Sequence, residues 1–497
     1  MDAAGLAPNI SDELGTSGSS LWQRFVDWLY LPNSFIGLTR RLAGLEGVFI
    51  LFMVWVWAHG GPGPTNVPAW RIGPHLLHLP LPPEEITRTL FLLAGCSSIA
   101  MTFGSAFKLW PLILAGVIGY FGSMDWMASG CHFIVLEWLM LLALLLERPG
   151  RSPTRRLIQV STVLCYFYTA TQKALFPDFV AGYSFETMFG DGWSLGSAWK
   201  GILPVEHFGH GFWVFLSLFT IAVEYLFAFG LCFPRTRRMT LLCAVFFHLG
   251  IAVFLDKFIS IFSLCMWACL STFIDEPSAA EIESGGKASL LSRYFVAFMV
   301  WVKKAKVFFY NFARGQHLGF LVQDPAKEEA ERAKPLRLTG VVRLQSAFSF
   351  LLLSMMVLIP LRVYYYPGRP LDKLSFFDRS PWSYCMYLAR QETSRLDAQY
   401  QDEQGNWHTH PIDKKKERWG RVTGDNELYA LADYVFSVHP EARRVRLESE
   451  IVMNGRLPQE KTLERDRDDH DKEIIVRFLP TYPEIRLQKR VEGQADL

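Results

Sequence analysis

The chain has 497 residues, of which 50% are hydrophobic, 14% aromatic and 20% charged, and its mean hydropathy is +0.16. This composition excludes an intrinsically disordered chain, a collagen, a coiled coil and a small disulfide scaffold, and it indicates a membrane protein. The formal net charge of +2 gives no reason to expect a nucleic-acid partner.

Taken in chain order, the apolar segments predict an α-helical polytopic membrane bundle. Residues 22–29 are predicted to form a short amphipathic helix at the membrane interface. A spanning helix needs roughly 20 apolar residues, although about 17 suffice. Several of the segments are shorter, which favours tilted helices packed together. The nine predicted spans are residues 42–58, 90–107, 109–121, 132–146, 157–175, 208–233, 239–255, 258–274 and 341–364.

Three regions follow from this pattern. Residues 1–41 form an amino-terminal segment, residues 42–366 a multi-pass membrane domain, and residues 367–497 a polar domain rich in charged side chains. Residues 294–312 are apolar but contain three lysines, which favours a basic helix on the membrane surface.

The distribution of Lys and Arg between short loops predicts the orientation of the chain. If nine spans alternate, most basic loop residues fall on one side, including Arg40, Arg41 and Arg148. We therefore expect a cytoplasmic amino terminus and an extracytoplasmic carboxy-terminal domain. In a bacterium this would be the plasma membrane. The segments 58–88 and 176–210 would then be long outer loops, of a length that is usually functional.

The carboxy-terminal region predicts a small α+β domain. Residues 395–402 alternate as a half-buried strand and run into a turn, and residues 445–453 alternate before Asn454 and Gly455, a strong hairpin signal. Residues 426–439 have the apolar spacing of a helix. One sheet packed by a helix is the simplest arrangement.

The eight cysteines predict neither a disulfide framework nor a metal site. No CxxC pair and no Cys/His metal-ligand spacing occurs among them, and seven lie in or beside apolar segments. Such cysteines usually act as small buried apolar residues.

Ionisable side chains inside the predicted spans are functional candidates, because each costs about 2.5–3.5 kcal/mol on insertion scales. His132, Lys173 and His248 come from three different spans, so one shared pocket would explain them together. Glu137 and Glu224 also lie within spans, where each could simply pair with a neighbouring cation; Glu137 could instead face water near the cytoplasmic end. Structural alternatives stay open, because Lys173 ends its span and could extend to the interface. A lone buried histidine is also often satisfied by a backbone carbonyl.

One segment resembles a known family. The sequence YFYTATQKALFPDFVAGYS, at residues 166–184, resembles the part of vitamin K-dependent gamma-glutamyl carboxylases that carries their catalytic lysine. The resemblance extends in order along nearly the whole chain. Further matching positions are residues 22–41, His132, Glu224, Phe247 and His248, and residues 358–361, 384–390, 418–419 and 451–459.

The resemblance implies a lyase that couples oxygenation of a reduced quinone to carboxylation of glutamate side chains in a protein or peptide. In the family, a lysine deprotonates vitamin K hydroquinone, dioxygen adds, and the strong base that results removes the γ-proton of glutamate. Carbon dioxide then traps the carbanion. The implied partners are therefore membrane lipid, reduced vitamin K or another quinone, and the peptide. Lys173 and His132 match the catalytic positions. The residues expected to line the substrate or quinone pocket are Glu224, His248, Tyr183 and Trp193.

One departure from the family pattern concerns the lysine itself. The family has two adjacent lysines, the second of them catalytic, whereas here Lys173 is followed by Ala174. When the segment is aligned forward from Tyr166, Lys173 falls on the catalytic lysine. When it is aligned backward from Asp178, Ala174 falls on the catalytic lysine and Lys173 on its non-catalytic partner. We prefer the first alignment, because a helix keeps its register and a loop absorbs one residue at small cost.

Two other functions remain as alternatives. A non-catalytic relative could use the same bundle to assist maturation or export of a partner protein, with the polar domain as a binding module. A small-molecule transporter is less well supported, because the sequence shows no inverted repeat and no paired interrupted helices.

Overall fold

The described part of the chain is mostly helical. The computed structural model describes residues 21–33, 35–59, 71–72, 77–78, 83–124, 132–148, 150–190, 207–254, 257–274, 311, 339–361, 391–412, 425–453, 459–467 and 475–477. The helices before residue 200 are α1 (Leu21–Leu29), α2 (Ile36–His59), α3 (Glu84–Thr102), α4 (Leu109–Met124), α5 (His132–Leu145), α6 (Thr154–Leu175), α7 (Pro177–Val180) and α8 (Tyr183–Gly190). The later helices are α9 (His210–Gly230), α10 (Pro234–Phe254), α11 (Lys257–Ser271), α12 (Gly340–Leu361) and α13 (Asp425–Val438).

Three of these helices are long and apolar enough to cross a membrane: His210–Gly230, Pro234–Phe254 and Gly340–Leu358. Large apolar side chains on them remain exposed, which is typical of a surface that faces lipid rather than water. Three shorter apolar helical segments, Leu109–Tyr120, Val135–Leu145 and Ile261–Ser271, accompany them.

Each of the nine apolar segments named above falls on a helix, α2 to α6 or α9 to α12. α2 and α3 each begin six residues before the predicted start, at Ile36 and Glu84. The amphipathic helix predicted at residues 22–29 is present as α1, with Val26 and Leu29 buried. The basic helix predicted at residues 294–312 lies outside the described residues, apart from Asn311.

The prediction of a long loop from residue 176 to 210 is wrong in its first part. The chain forms α7 and α8 there, and Phe179 of α7 is fully buried. Phe185 packs beside both Phe179 and Trp213, and Phe189 packs beside Trp213. The aromatic residues of this segment therefore pack between helices. Residues 191–206 lie outside the described part.

The membrane-type helices share one core of buried apolar side chains, drawn from α1 to α6 and α9 to α12. α6 is central, because it packs against α5, α9 and α12. Arg155 at its amino-terminal end donates to the carbonyls of Thr272 and Ile274, at 2.6 Å and 3.2 Å. These bonds satisfy carbonyl groups just beyond the end of α11 and fix α6 to α11.

Two short strand pairs occur in this region. β1 (Leu31–Pro32) pairs antiparallel with β4 (Arg151–Ser152), and β2 (Arg71–Ile72) pairs antiparallel with β3 (Leu77–His78).

Residues 391–477 contain a five-stranded antiparallel sheet, with strand order β6-β5-β7-β8-β9. Its strands are β5 (Gln391–Gln401), β6 (Trp407–His410), β7 (Arg444–Met453), β8 (Gln459–Asp466) and β9 (Ile475–Arg477). α13 packs on one face through Leu428, Leu431 and Val435. The strands and the helix predicted here are present, and their apolar side chains form a core of their own.

Candidate functional site

The amine of Lys173 forms an ion pair with the carboxylate of Glu224. Both residues are buried, with 3% and 4% of their surfaces exposed. Lys173 therefore does not extend to the interface, and the structural alternative of a snorkelling lysine does not apply. The second carboxylate oxygen of Glu224 has no hydrogen-bond partner among the described residues, so this oxygen can accept one further proton or hydrogen bond.

The pair is built from two neighbouring helices. Lys173 lies in the last turn of α6, and Glu224 lies in the second half of α9, which packs along α6. The Lys173 amine also lies 5.6 Å from the centre of the Phe179 ring, which belongs to the short helix that follows. A cation over an aromatic face is attracted to it, so Phe179 helps to hold the amine in place.

His248 is brought to the same face of α6 through Tyr166. The Tyr166 hydroxyl lies 2.7 Å from Nε2 of His248, and both side chains are buried. Because Tyr166 precedes Lys173 by seven residues, or two helical turns, the two side chains lie on the same side of α6. Nδ1 of His248 has no hydrogen-bond partner among the described residues.

Aromatic rings pack against both members of the Tyr166–His248 pair. Tyr166 packs on Phe227 at 5.3 Å, three residues after Glu224, and His248 packs on Phe262 of α11 at 5.3 Å. Both distances join ring centres. Four helices, α6, α9, α10 and α11, thus contribute to one buried cluster. Its polar members are Lys173, Glu224, Tyr166 and His248.

A tight turn after α7 supports the lysine end of the cluster. Gly182 has a φ of +81°, and a Cβ atom at this position would lie 2.5 Å from the backbone nitrogen of Val214. Only glycine permits both the conformation and the contact with α9. The next residue, Tyr183, packs its ring 4.8 Å from that of His210, whose Nδ1 lies 2.7 Å from Glu186. Tyr183 therefore belongs to a polar group with His210 and Glu186.

Of the two remaining predicted site residues, His132 and Trp193, the structure describes only the backbone of His132. His132 is the first residue of α5, and its side chain lies outside the described part. α5 and α6 are consecutive and packed together, and Thr154 of α6 donates to the carbonyl of Ala143 near the end of α5. His132 therefore lies towards the same end of this helix pair as Lys173. Trp193 lies outside the described residues.

Sequence reasoning overlooked two buried polar residues. Tyr166 stands in the matched segment but received no role, and its link to His248 depends on a contact between helices. Glu46 lies within the first predicted span, where its charge is a signal of the same kind, but it is not among the candidates named above. Glu46 is fully buried and lies close to Glu137, which does not face water either.

The chemistry open to the cluster is proton transfer in a dry site. Burial makes an isolated charge costly, so Lys173 and Glu224 compensate each other's charge in the interior. If Glu224 takes up the proton, the amine has a free lone pair and can act as a base. Both side chains are buried away from water, which strengthens the electrostatic interaction between them.

No protein-family model, curated protein or solved structure matches the chain.

Proposed function

We propose that the chain is a quinone-dependent membrane enzyme of the gamma-glutamyl carboxylase type, with Lys173 as the base that deprotonates a reduced quinone. The observation that carries the proposal is the buried contact of Lys173 with Glu224, next to the hydrogen-bonded Tyr166 and His248. This is the kind of polar cluster, enclosed by apolar side chains, that such chemistry requires.

The orientation of α6 supports the alignment that makes Lys173 the catalytic lysine. Lys173 is buried, whereas Ala174 lies on the exposed side of the helix. A lysine at position 174 would face away from Glu224 and His248. The extra residue of this alignment falls between Lys173 and Asp178, where α6 ends and α7 begins.

Each residue of the cluster has a distinct role in the proposal. Glu224 holds Lys173 and takes up its proton, which leaves the amine free to accept a proton from the quinol hydroxyl. His248, oriented by Tyr166, braces the pocket and offers Nδ1 as a hydrogen-bond partner. When bound, the reduced quinone with dioxygen supplies the strong base needed to remove the γ-proton of glutamate. His132 is assigned to proton transfer or oxyanion support, and Tyr183 and Trp193 to the pocket wall.

The proposal includes a membrane arrangement finer than the three candidate spans. The nine helical segments all cross or enter the bilayer, the amino terminus is cytoplasmic, and residues 367–497 form an extracytoplasmic α+β domain. The basic residues of the loops support this orientation. The sheet packed by α13 is then the surface that presents the protein substrate, and lipid supplies the quinone.

The proposal is tested with the full-length protein in detergent or lipid nanodiscs. Incubation with vitamin K hydroquinone, labelled bicarbonate and a glutamate-rich peptide is expected to give label in the peptide. Lys173→Ala is expected to abolish incorporation, whereas Lys108→Ala, an exposed lysine, retains it. A folded wild-type protein that consumes no quinol and incorporates no label with this peptide contradicts the proposal. So does retained activity in Lys173→Ala.

The second candidate is a non-catalytic relative, and one observation favours it. The Lys173 amine already contacts a carboxylate, so the pair is also suited to a purely structural role that fixes α6 against α9. In that case, Lys173→Met combined with Glu224→Gln keeps the biological activity of the protein in its host. The same double variant abolishes the activity of an enzyme that needs the lysine.

A further inference from the structure

A second buried polar cluster lies among the helices, formed by residues from α2, α5 and α11. The residues are Glu46, Glu137 and Cys265, and one ligand atom from each lies within 4.8 Å of the other two. All three residues are fully buried. They are brought together only by helix packing, because they stand far apart in the sequence.

The two carboxylates lack a counter-ion among the described residues. None of their four oxygen atoms has a hydrogen-bond partner among the described residues, and no ion pair found there includes either side chain. On the same helix as Glu46, Arg40 is engaged with Glu147 instead. An uncompensated carboxylate buried in an apolar core costs several kcal/mol. The pair must therefore be neutralised by protons or by a bound cation.

The third residue indicates which cation fits. Ca²⁺ and Mg²⁺ select all-oxygen sites, whereas a thiolate next to carboxylates suits a softer divalent transition metal. Tetrahedral Zn²⁺, with bonds of about 2.0–2.3 Å, places its ligand atoms roughly 3.3–3.8 Å apart. The ligand atoms here lie within 4.8 Å of one another, so small rotations of the side chains would close the site.

We propose that Glu46, Glu137 and Cys265 form a binding site for a divalent transition metal of the Zn²⁺ type. The three side chains supply two carboxylate oxygens and one thiolate, which leaves a fourth position open for a small ligand. Binding releases the thiol proton, and any proton shared by the carboxyl groups, to water. The site uses none of the residues of the Lys173 cluster, so a test of metal binding is independent of a test of the proposed function.

The first test is the metal content of full-length protein, purified in detergent after growth with added Zn²⁺. We expect about one Zn²⁺ per chain in the wild type. At least a tenfold loss is expected in Glu46→Gln, Glu137→Gln and Cys265→Ser. The matched controls are Glu85→Gln and Cys243→Ser, whose side chains are exposed, and both are expected to keep the metal.

Substitution with Co²⁺ identifies the ligands directly. A thiolate-to-cobalt charge-transfer band in the near ultraviolet is expected in the wild type and in Cys243→Ser, and its loss is expected in Cys265→Ser. Wild-type protein that takes up neither Zn²⁺ nor Co²⁺ overturns the proposal and leaves a carboxyl pair that shares a proton. Uptake that is unchanged in a folded Glu46→Gln/Glu137→Gln double variant overturns it as well. If a variant does not fold, the cobalt spectrum of the wild type decides, because the absence of the band excludes thiolate ligation.

Discussion

Lys173 and Glu224 neutralise each other in the interior of the helical bundle, on two helices that pack side by side. Neither residue has enough exposed surface to be solvated by water, so each depends on the other. This relationship makes the two positions interdependent both for stability and for the proposed chemistry.

Removing one member of the pair is expected to destabilise the fold more than removing both. Lys173→Met or Glu224→Gln alone leaves a buried group without its partner, at a cost of about 3–5 kcal/mol. The double variant leaves no isolated charge, so we expect its loss to be clearly smaller than the sum of the two single losses. Reversible unfolding of the full-length protein in mixed micelles measures the free energy of unfolding of the wild type, the two single variants and the double variant. Additive losses would show that the two side chains do not interact.

The hydrogen bond between Tyr166 and His248 is expected to matter for stability. Tyr166→Phe leaves the ring nitrogen of a fully buried histidine without its partner, which costs about 1–3 kcal/mol. Tyr225→Phe is the matched control, because its hydroxyl contacts Thr171 at 3.0 Å in a partly exposed position. The same unfolding measurement compares the two variants. A larger loss in Tyr225→Phe would contradict the assigned importance of the buried pair.

Gly182 is expected to tolerate no side chain. Gly182→Ala forces a Cβ atom against the backbone of α9 in a left-handed conformation, so we expect a loss of roughly 1–3 kcal/mol. Gly211→Ala is the control, because a Cβ there meets nothing within 4 Å and the residue lies in a helix. That change is expected to be neutral or stabilising by up to about 1 kcal/mol. Equal effects of the two substitutions would contradict the assigned contact.

The positions of the helices could be predicted from sequence, but the faces they present could not. All nine apolar segments fall on helices, because length and hydropathy determine where such helices form. α2 and α5, however, are apolar on nearly every side, so their pattern does not show which face is buried. That is why Glu46 received no role and Glu137 was expected to pair with a neighbour or face water.

For the candidate site, the sequence likewise identified charged residues but not the contacts between them. The charges of Lys173, Glu224 and His248 mark them as candidates, since each is costly in an apolar segment. Which of them meet depends on contacts between helices distant in sequence, such as the one between Tyr166 and His248. The turn at Gly182 also depends on the approach of α9, which no local pattern reveals.

The sheet near the carboxy terminus is expected to lose stability as the pH falls below neutrality. His410 is buried, and its Nδ1 lies 3.0 Å from Nε2 of His439, which stacks on Tyr400. Burial, and then the neighbouring histidine, lower the pKa of His410 below its usual value near 6.5. The unfolded chain therefore binds the proton more readily than the folded one.

The sign of the effect follows from this difference in proton binding. The contribution of His410 to the free energy of unfolding is complete above about pH 6.5 and is lost as the pH falls from there towards its lowered pKa. The pKa of Asp402 is also lowered, to about 2, chiefly by its hydrogen bond to His408, so its contribution is lost only below about pH 4. We expect His410→Gln to flatten the fall in unfolding temperature between pH 7.5 and 5.5, measured by calorimetry on the full-length protein. An unchanged slope in this variant would show that His410 is not the group responsible.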